Sequence, residues 1–230
     1  MEELEKIVEI ANPQHPHCPV VLLLDVSGSM AGVKISSLNE GVKLFKEEIE
    51  KDELASKRVD LAIITFGGEV KVFHQFSPVE NFEPVEFEAS GNTPMGDAIL
   101  KGIEMVEERK REYKERGIDY YRPWIFMITD GEPTDMREGD EKWEEVIKRI
   151  HEGERNKKFL FFCVGVEPAN FEILKKLAPP ERPPVKLKGT KFKELFMWLS
   201  KSQIKVSSSK VGEKLTLEDP VKAGWGEIEL

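Results

Sequence analysis

Val20-Val21-Leu22-Leu23-Leu24-Asp25-Val26-Ser27-Gly28-Ser29-Met30 is an apolar run that breaks off into Asp-x-Ser-x-Ser, an acid and two hydroxyls at alternate positions. An unbroken apolar run of this length suits a strand buried on both faces. The polar triad then falls at the strand's end. Two later segments have the same form, polar residues in a turn at an element end: Ser90-Gly91-Asn92-Thr93-Pro94-Met95-Gly96 and Trp124-Ile125-Phe126-Met127-Ile128-Thr129-Asp130-Gly131. Together they supply Asp25, Ser27, Ser29, Thr93 and Asp130. Five oxygen-bearing side chains suit a hard divalent cation, Mg²⁺ first, with Mn²⁺ or Ca²⁺ as alternatives.

Outward from these segments, short apolar runs alternate with amphipathic stretches, the pattern of parallel strands covered by helices. The expected fold is a doubly wound, Rossmann-like α/β sandwich with helices on both faces. Strands are predicted near residues 20–25, 59–66, 70–76, 124–129, 159–166 and 185–188. Only Gly67, Gly68 and Glu69 separate the second from the third, which predicts a hairpin and one antiparallel edge strand in an otherwise parallel sheet. Helices are predicted over about 35–51, 94–115, 140–156, 170–178 and 191–202. In the first, Leu38, Val42, Phe45 and Ile49 form one apolar stripe. The division expected along the chain is an extended lead-in over 1–18, kept from helix by Pro13 and Pro16, a domain over 19–205 and a polar tail over 206–230. Trp225, flanked by glycines in that tail, calls for an anchor, on this chain or on a partner.

The chain has 230 residues, a length that α/β folds reach undivided, and 40% hydrophobic residues supply a sizeable core. A net charge of −9 disfavours nucleic acid and anionic membranes as partners and favours a cation. Met1 is followed by acidic residues rather than a basic stretch and an apolar run, so no secretory leader is expected. No apolar run approaches the roughly 20 residues that span a bilayer. With only Cys18 and Cys163 present, a reducing cytoplasm is the simplest setting, and a single bridge between them stays open. A monomer is expected.

The ligand set has its own logic. In open α/β sheets the turns at the carboxyl ends of strands converge, which would bring these three turns together. Gly28 gives the backbone room for Ser27 and Ser29 to face one point. Three hydroxyls with only two carboxylates leave a cation's charge incompletely offset, so the site would welcome a carboxylate from outside. A partner presenting Asp or Glu follows. Taken singly, Thr93-Pro94 also fits a helix N-cap and Asp130-Gly131 an ordinary turn.

Rival chemistries fit less well. A dehalogenase-type phosphatase needs a second acid two residues after its nucleophile, where Ser27 stands. Gly91-x-x-x-x-Gly96 suggests a phosphate-binding loop, but Asp97 occupies the lysine position. Ser207-Ser208-Ser209-Lys210 spells Ser-x-x-Lys in a polar segment. His15, His17 and Cys18 are three metal-ligand types lacking a fourth. Arg109-Lys110-Arg111 lies among Glu107, Glu108 and Glu112 and reads as a solvated helix face.

Asp25, Ser27, Ser29, Thr93 and Asp130 match all five positions of the metal-ion-dependent adhesion site of the von Willebrand factor A family, which the chain resembles from about Pro19 to Ser202. The resemblance implies a protein-binding rather than catalytic domain. Ser27 and Ser29 would bind metal directly, Thr93 and Asp130 directly or through water, and Asp25 commonly through water. Ser90 to Gly96, Tyr120 to Phe126 and Phe192 to Ser200 further resemble a bacterial cytoplasmic branch associated with tellurite resistance and stress response. That branch implies an adaptor working with a protein kinase and a metal-dependent protein phosphatase. The alternative is a metal-dependent hydrolase acting on phosphate esters.

Overall fold

The computed structural model describes residues 10–227. Seven strands form one sheet: β1 (Cys18–Asp25), β2 (Val59–Gly67), β3 (Glu69–Pro78), β4 (Trp124–Thr129), β5 (Leu160–Gly165), β6 (Val185–Leu187) and β7 (Gly226–Glu227). Their order is β3-β2-β1-β4-β5-β6-β7, with β2, β1, β4, β5 and β6 parallel. The hairpin makes β3 the expected antiparallel edge. At the other edge the two-residue β7 adds a short antiparallel pairing to β6, which the polar tail sequence did not suggest.

Among the described residues six α-helices cover the sheet: α1 (Val33–Glu50), α2 (Glu53–Arg58), α3 (Met95–Glu115), α4 (Glu141–Arg155), α5 (Phe171–Leu177) and α6 (Phe192–Ser207). Alternation along the central strands sorts them onto two faces. Val20, Leu22 and Leu24 point into one core with the α1 stripe and with Leu195, Phe196 and Leu199 of α6. Val21 and Leu23 point into the other with Ile99, Ile103 and Val106 of α3, Val146 and Ile150 of α4, and Leu174 of α5. Burying apolar surface on both sides of the sheet is the main stabilising term for such a fold. A Cβ on Gly41 would come within 2.2 Å of the Phe196 ring, so α1 and α6 lie closer together there than any other residue would allow.

Several boundaries differ from expectation. The chain beyond α1 forms a separate helix, because the Asp52 side chain accepts the amides of Leu54 and Ala55 at 3.1 and 2.8 Å and starts α2. α6 continues to Ser207 instead of stopping near Ser202. Part of the expected lead-in, residues 1–9, lies outside the described residues. The remainder is tied down: Ile10 packs with Tyr113 and Ile118, and His17 bridges Tyr120. Cys18 belongs to one core and Cys163 to the other, both as free buried thiols, so no bridge joins them.

Candidate metal centre

The strand order reverses between β1 and β4, and their register brings their ends level: Leu24 pairs with Ile128, so Asp25 and Thr129 come next on either side. This switch point at the carboxyl edge is where an open α/β sheet has its natural crevice. Thr129 Oγ1 donates to Asp25 Oδ2 at 2.6 Å, while the Ser27 amide donates to Asp25 Oδ1 at 2.8 Å. Asp25 is fully buried, and burial pushes its carboxyl above the usual carboxylate range, with the bonds from Ser27 and Thr129 opposing and the nearby Asp130 reinforcing.

Ser27 and Ser29 sit in the turn after β1, with their hydroxyl oxygens 3.0 Å apart. Ser29 Oγ donates to Asp130 Oδ1 at 2.6 Å. The Lys34 ammonium at the start of α1 holds the other oxygen, Asp130 Oδ2. Thr93 arrives from the third turn. A Cβ placed on Gly131 would stand 3.1 Å from Thr93 Oγ1 and 3.7 Å from Asp25 Oδ2, so these turns meet around that glycine. All five expected residues are brought together.

The third turn is held by main-chain bonds: Gly28 N to Gly91 O at 3.0 Å, Ser90 N to Val26 O at 2.8 Å and Gly68 N to Asn92 O at 2.7 Å. Gly91 has φ +72°, and a Cβ there would lie 2.5 Å from Gly68 Cα, so the position requires glycine twice over. Thr93 does not cap α3. Pro94 occupies the N-cap position, Met95 begins the helix, and Asp135 accepts the amides of Gly96 at 3.1 Å and Asp97 at 2.8 Å. The helix amides are thus served by another loop, and the buried Thr93 hydroxyl stays with the cluster.

The chemistry of this donor set suits a hard divalent cation such as Mg²⁺. Among the described residues no group of three or more His, Cys, Asp or Glu could hold a metal. The cluster instead mixes two carboxylates with three hydroxyls, oxygen donors that hard cations accept and softer metals disfavour. Ser27, Ser29, Thr93, Asp25 and Asp130 would hold the ion, and the ion would supply a Lewis-acidic position for an outside oxygen.

Sequence reading missed four participants. Thr129 was legible in principle, since parallel register puts it beside Asp25. Thr134 and Asp135, which bind the Thr93 and Gly96 amides, follow the Asp130 turn with no distinguishing pattern. Lys34 is one charged residue on an amphipathic helix and carries no signal.

His17 and Cys18, discounted above as metal ligands for want of a fourth, take structural positions. His17 Nδ1 lies 3.2 Å from Asp60 Oδ2 and its ring stacks on Tyr113, while burial pushes the Cys18 thiol up. Arg109 is likewise no part of a solvated face: only 3% exposed, it donates to Asp60 Oδ2 at 2.6 Å. These residues close the opposite pole of the sheet, where β1 and β2 begin.

Among known proteins, the family model described as von Willebrand factor type A domain matches residues 20–195. Inter-alpha-trypsin inhibitor heavy chain H3 from Homo sapiens is 25% identical over 170 residues, 69% of this chain and 18% of the relative. The H4 heavy chain from Sus scrofa is 26% identical over 64% of this chain and 15% of its own length. The chain thus spans under a fifth of the curated relatives it matches. The solved von Willebrand factor type A protein from Catenulispora acidiphila superposes with a TM-score of 0.62 at 14% identity, over 82% of this chain and 43% of that one. The vWF domain of the type V pili tip protein Mfa5 from Porphyromonas gingivalis gives 0.61 at 11% identity, over 88% of this chain and 99% of that one. At such identities the likeness is one of fold.

Proposed function

Because the chain belongs to the von Willebrand factor type A domain family, we propose that it is a non-catalytic, Mg²⁺-dependent protein-binding domain whose partner completes the metal's coordination with an Asp or Glu side chain. The observation that carries this reading is the bond from Ser29 to Asp130, which joins two of the three converging turns and aligns a hydroxyl and a carboxylate beside Ser27, Thr93 and Asp25. Metal and partner bind with positive linkage, each strengthening the other by the same factor.

The narrower reading makes the domain a cytoplasmic adaptor, monomeric, between a protein kinase and a metal-dependent protein phosphatase in a bacterial stress or tellurite-resistance module. Its support is the resemblance of the segments 90–96, 120–126 and 192–200. The net charge of −9 supports a protein partner over nucleic acid or an anionic membrane. Among the described residues no helix is long and apolar enough to cross a membrane.

Capture from the native cell with Mg²⁺ or with EDTA, read by mass spectrometry, identifies the partner. The partner so found is then titrated with the full chain. Equal affinity with Mg²⁺ and EDTA overturns the metal-bridged mechanism. Turnover of phosphate esters abolished by Asp25→Ala would favour a hydrolase instead.

A further inference from the structure

Beside the metal centre, α1 and the extended segment 84–89 wall an open groove of about 710 Å³. It begins at the rim of the site. Ala31, on one wall, follows Ser29 by two residues, and Ala89, on the other, precedes Ser90, whose amide donates to Val26 O in the turn that carries Ser27. The far wall is fixed by one side chain. Asn39 Nδ2 donates to Phe87 O and the Phe87 amide donates to Asn39 Oδ1, both at 3.0 Å, so Asn39 serves the segment as a neighbouring strand would. Phe87 itself is buried, edge-on to Phe73 at 5.0 Å, which turns Glu86 and Glu88 outward.

The charge of the groove is one-sided. Glu40, Glu86 and Glu88 are exposed along it, and the lone cation, Lys43, lies 4.0 Å from Glu47 on its own helix. Val85, 43% exposed, gives the wall an apolar step beyond Glu88 and Glu86, at the end remote from the metal centre. A wholly acidic ligand would be drawn to the metal and repelled by this wall.

We infer that the groove is a specificity subsite for an extended polypeptide segment of the partner, in which the metal-binding acid is followed by Lys or Arg and then by an apolar residue. The basic side chains meet Glu40, Glu86 and Glu88, and the apolar one covers Val85. Complementary charge at such a rim selects among partners more than it adds affinity. This deepens the metal-bridged reading and rests on it.

The test uses short synthetic peptides carrying one Asp flanked by Lys, Gln or Glu, titrated by fluorescence anisotropy against the full chain in Mg²⁺. A second protein carries Glu40→Lys, Glu86→Lys and Glu88→Lys, all at exposed positions, with its melting temperature checked against the wild type. Lys-flanked peptides bind the wild type about tenfold tighter than Glu-flanked ones, the scale of a few exposed charge pairs, and the triple variant inverts the order. The preference fades in high salt. No peptide binding, or a ranking that the triple variant leaves unchanged, overturns the subsite. If EDTA and Asp-to-Asn peptides abolish binding while flanking charge is immaterial, the metal reading stands and the groove falls. If the ranking inverts but EDTA changes nothing, the groove stands and the metal bridge falls.

Discussion

The Lys34 ammonium rests on the same Asp130 carboxylate whose other oxygen takes the Ser29 hydroxyl. The Asp130 side chain is wholly buried and Lys34 is 21% exposed, so the acid's charge is offset from within the chain. An incoming cation has to displace that ammonium or share the carboxylate with it. Lys34→Met should therefore tighten Mg²⁺ binding about tenfold, the scale of one hydrogen bond to a charged group. In metal-free buffer the same variant should melt lower, because Asp130 is left with a buried, unpaired charge. Calorimetric titration of both proteins decides it, and equal Mg²⁺ affinities would mean that the ammonium does not compete.

Thr93 and Asp135 divide the work that sequence alone assigns to one residue. Since Asp135 receives the α3 amides, Thr93→Ala should cost metal and partner binding with little loss of stability, and Thr93→Ser should restore binding. Asp135→Ala should do the reverse, lowering stability by about 0.5–2 kcal/mol as a lost cap does. Paired urea unfolding and Mg²⁺ titration separate them. A large stability loss in Thr93→Ala would return the residue to a capping role.

Much of this was readable beforehand because it depends on local pattern. The unbroken run from Val20 to Leu24 determines a buried strand, Asp25 to Ser29 mark its end, and the crevice at a switch point follows from topology. What could not be read depends on long-range contact. Nothing around Asp60, Arg109 or Tyr113 indicates that residues roughly fifty apart close one buried cluster, since a lone acid at a strand start and an Arg among glutamates look solvated. Asn39 likewise reads as a polar helix position until Phe87 is seen beside it. The path of the tail depends on contacts such as the burial of the Trp225 indole, whose destination no periodicity encodes.

Asp60 gives the pH dependence a sign. Burial by itself would raise its carboxyl, but the His17 ring, the Arg109 guanidinium and the Tyr113 hydroxyl together outweigh it and hold Asp60 below the usual range. A carboxyl depressed in the folded state stabilises the fold above its unfolded value, about 3.9, and that stabilisation is lost as pH falls through the folded value. Asp60→Asn should cost up to about 3–5 kcal/mol at pH 7, since it strips Arg109 of its buried partner and leaves it only the partly exposed Glu112 at 2.9 Å. The gap between wild type and variant should narrow as pH drops below about 4. Urea unfolding across that range measures it, and a gap independent of pH would assign the loss to shape alone.

Trp225 is 1% exposed, packs on Trp198 with ring centroids 5.3 Å apart, and its carbonyl accepts the Lys188 amide at 2.9 Å. Trp198 in turn donates its indole N–H to Glu218 O at 2.8 Å, and Lys205 and Lys191 donate to Thr216 O and Gly224 O at 2.6 and 3.0 Å, so the tail is tied to α6 and to the β6 edge. The tail between these points and α6 is largely exposed, with Leu217 and Ala223 only partly buried against the core, so the indole is its one large fully buried side chain. Removing it should release the stretch after Ser209 and uncover the face of Trp198, with a loss of about 3 kcal/mol, the lower end for truncating a buried aromatic. Limited proteolysis of Trp225→Ala should then cut between residues 210 and 224, with a lower melting temperature. If the variant melts with the wild type and resists the protease, the hold lies in the main-chain pairing of β6 with β7 rather than in the ring.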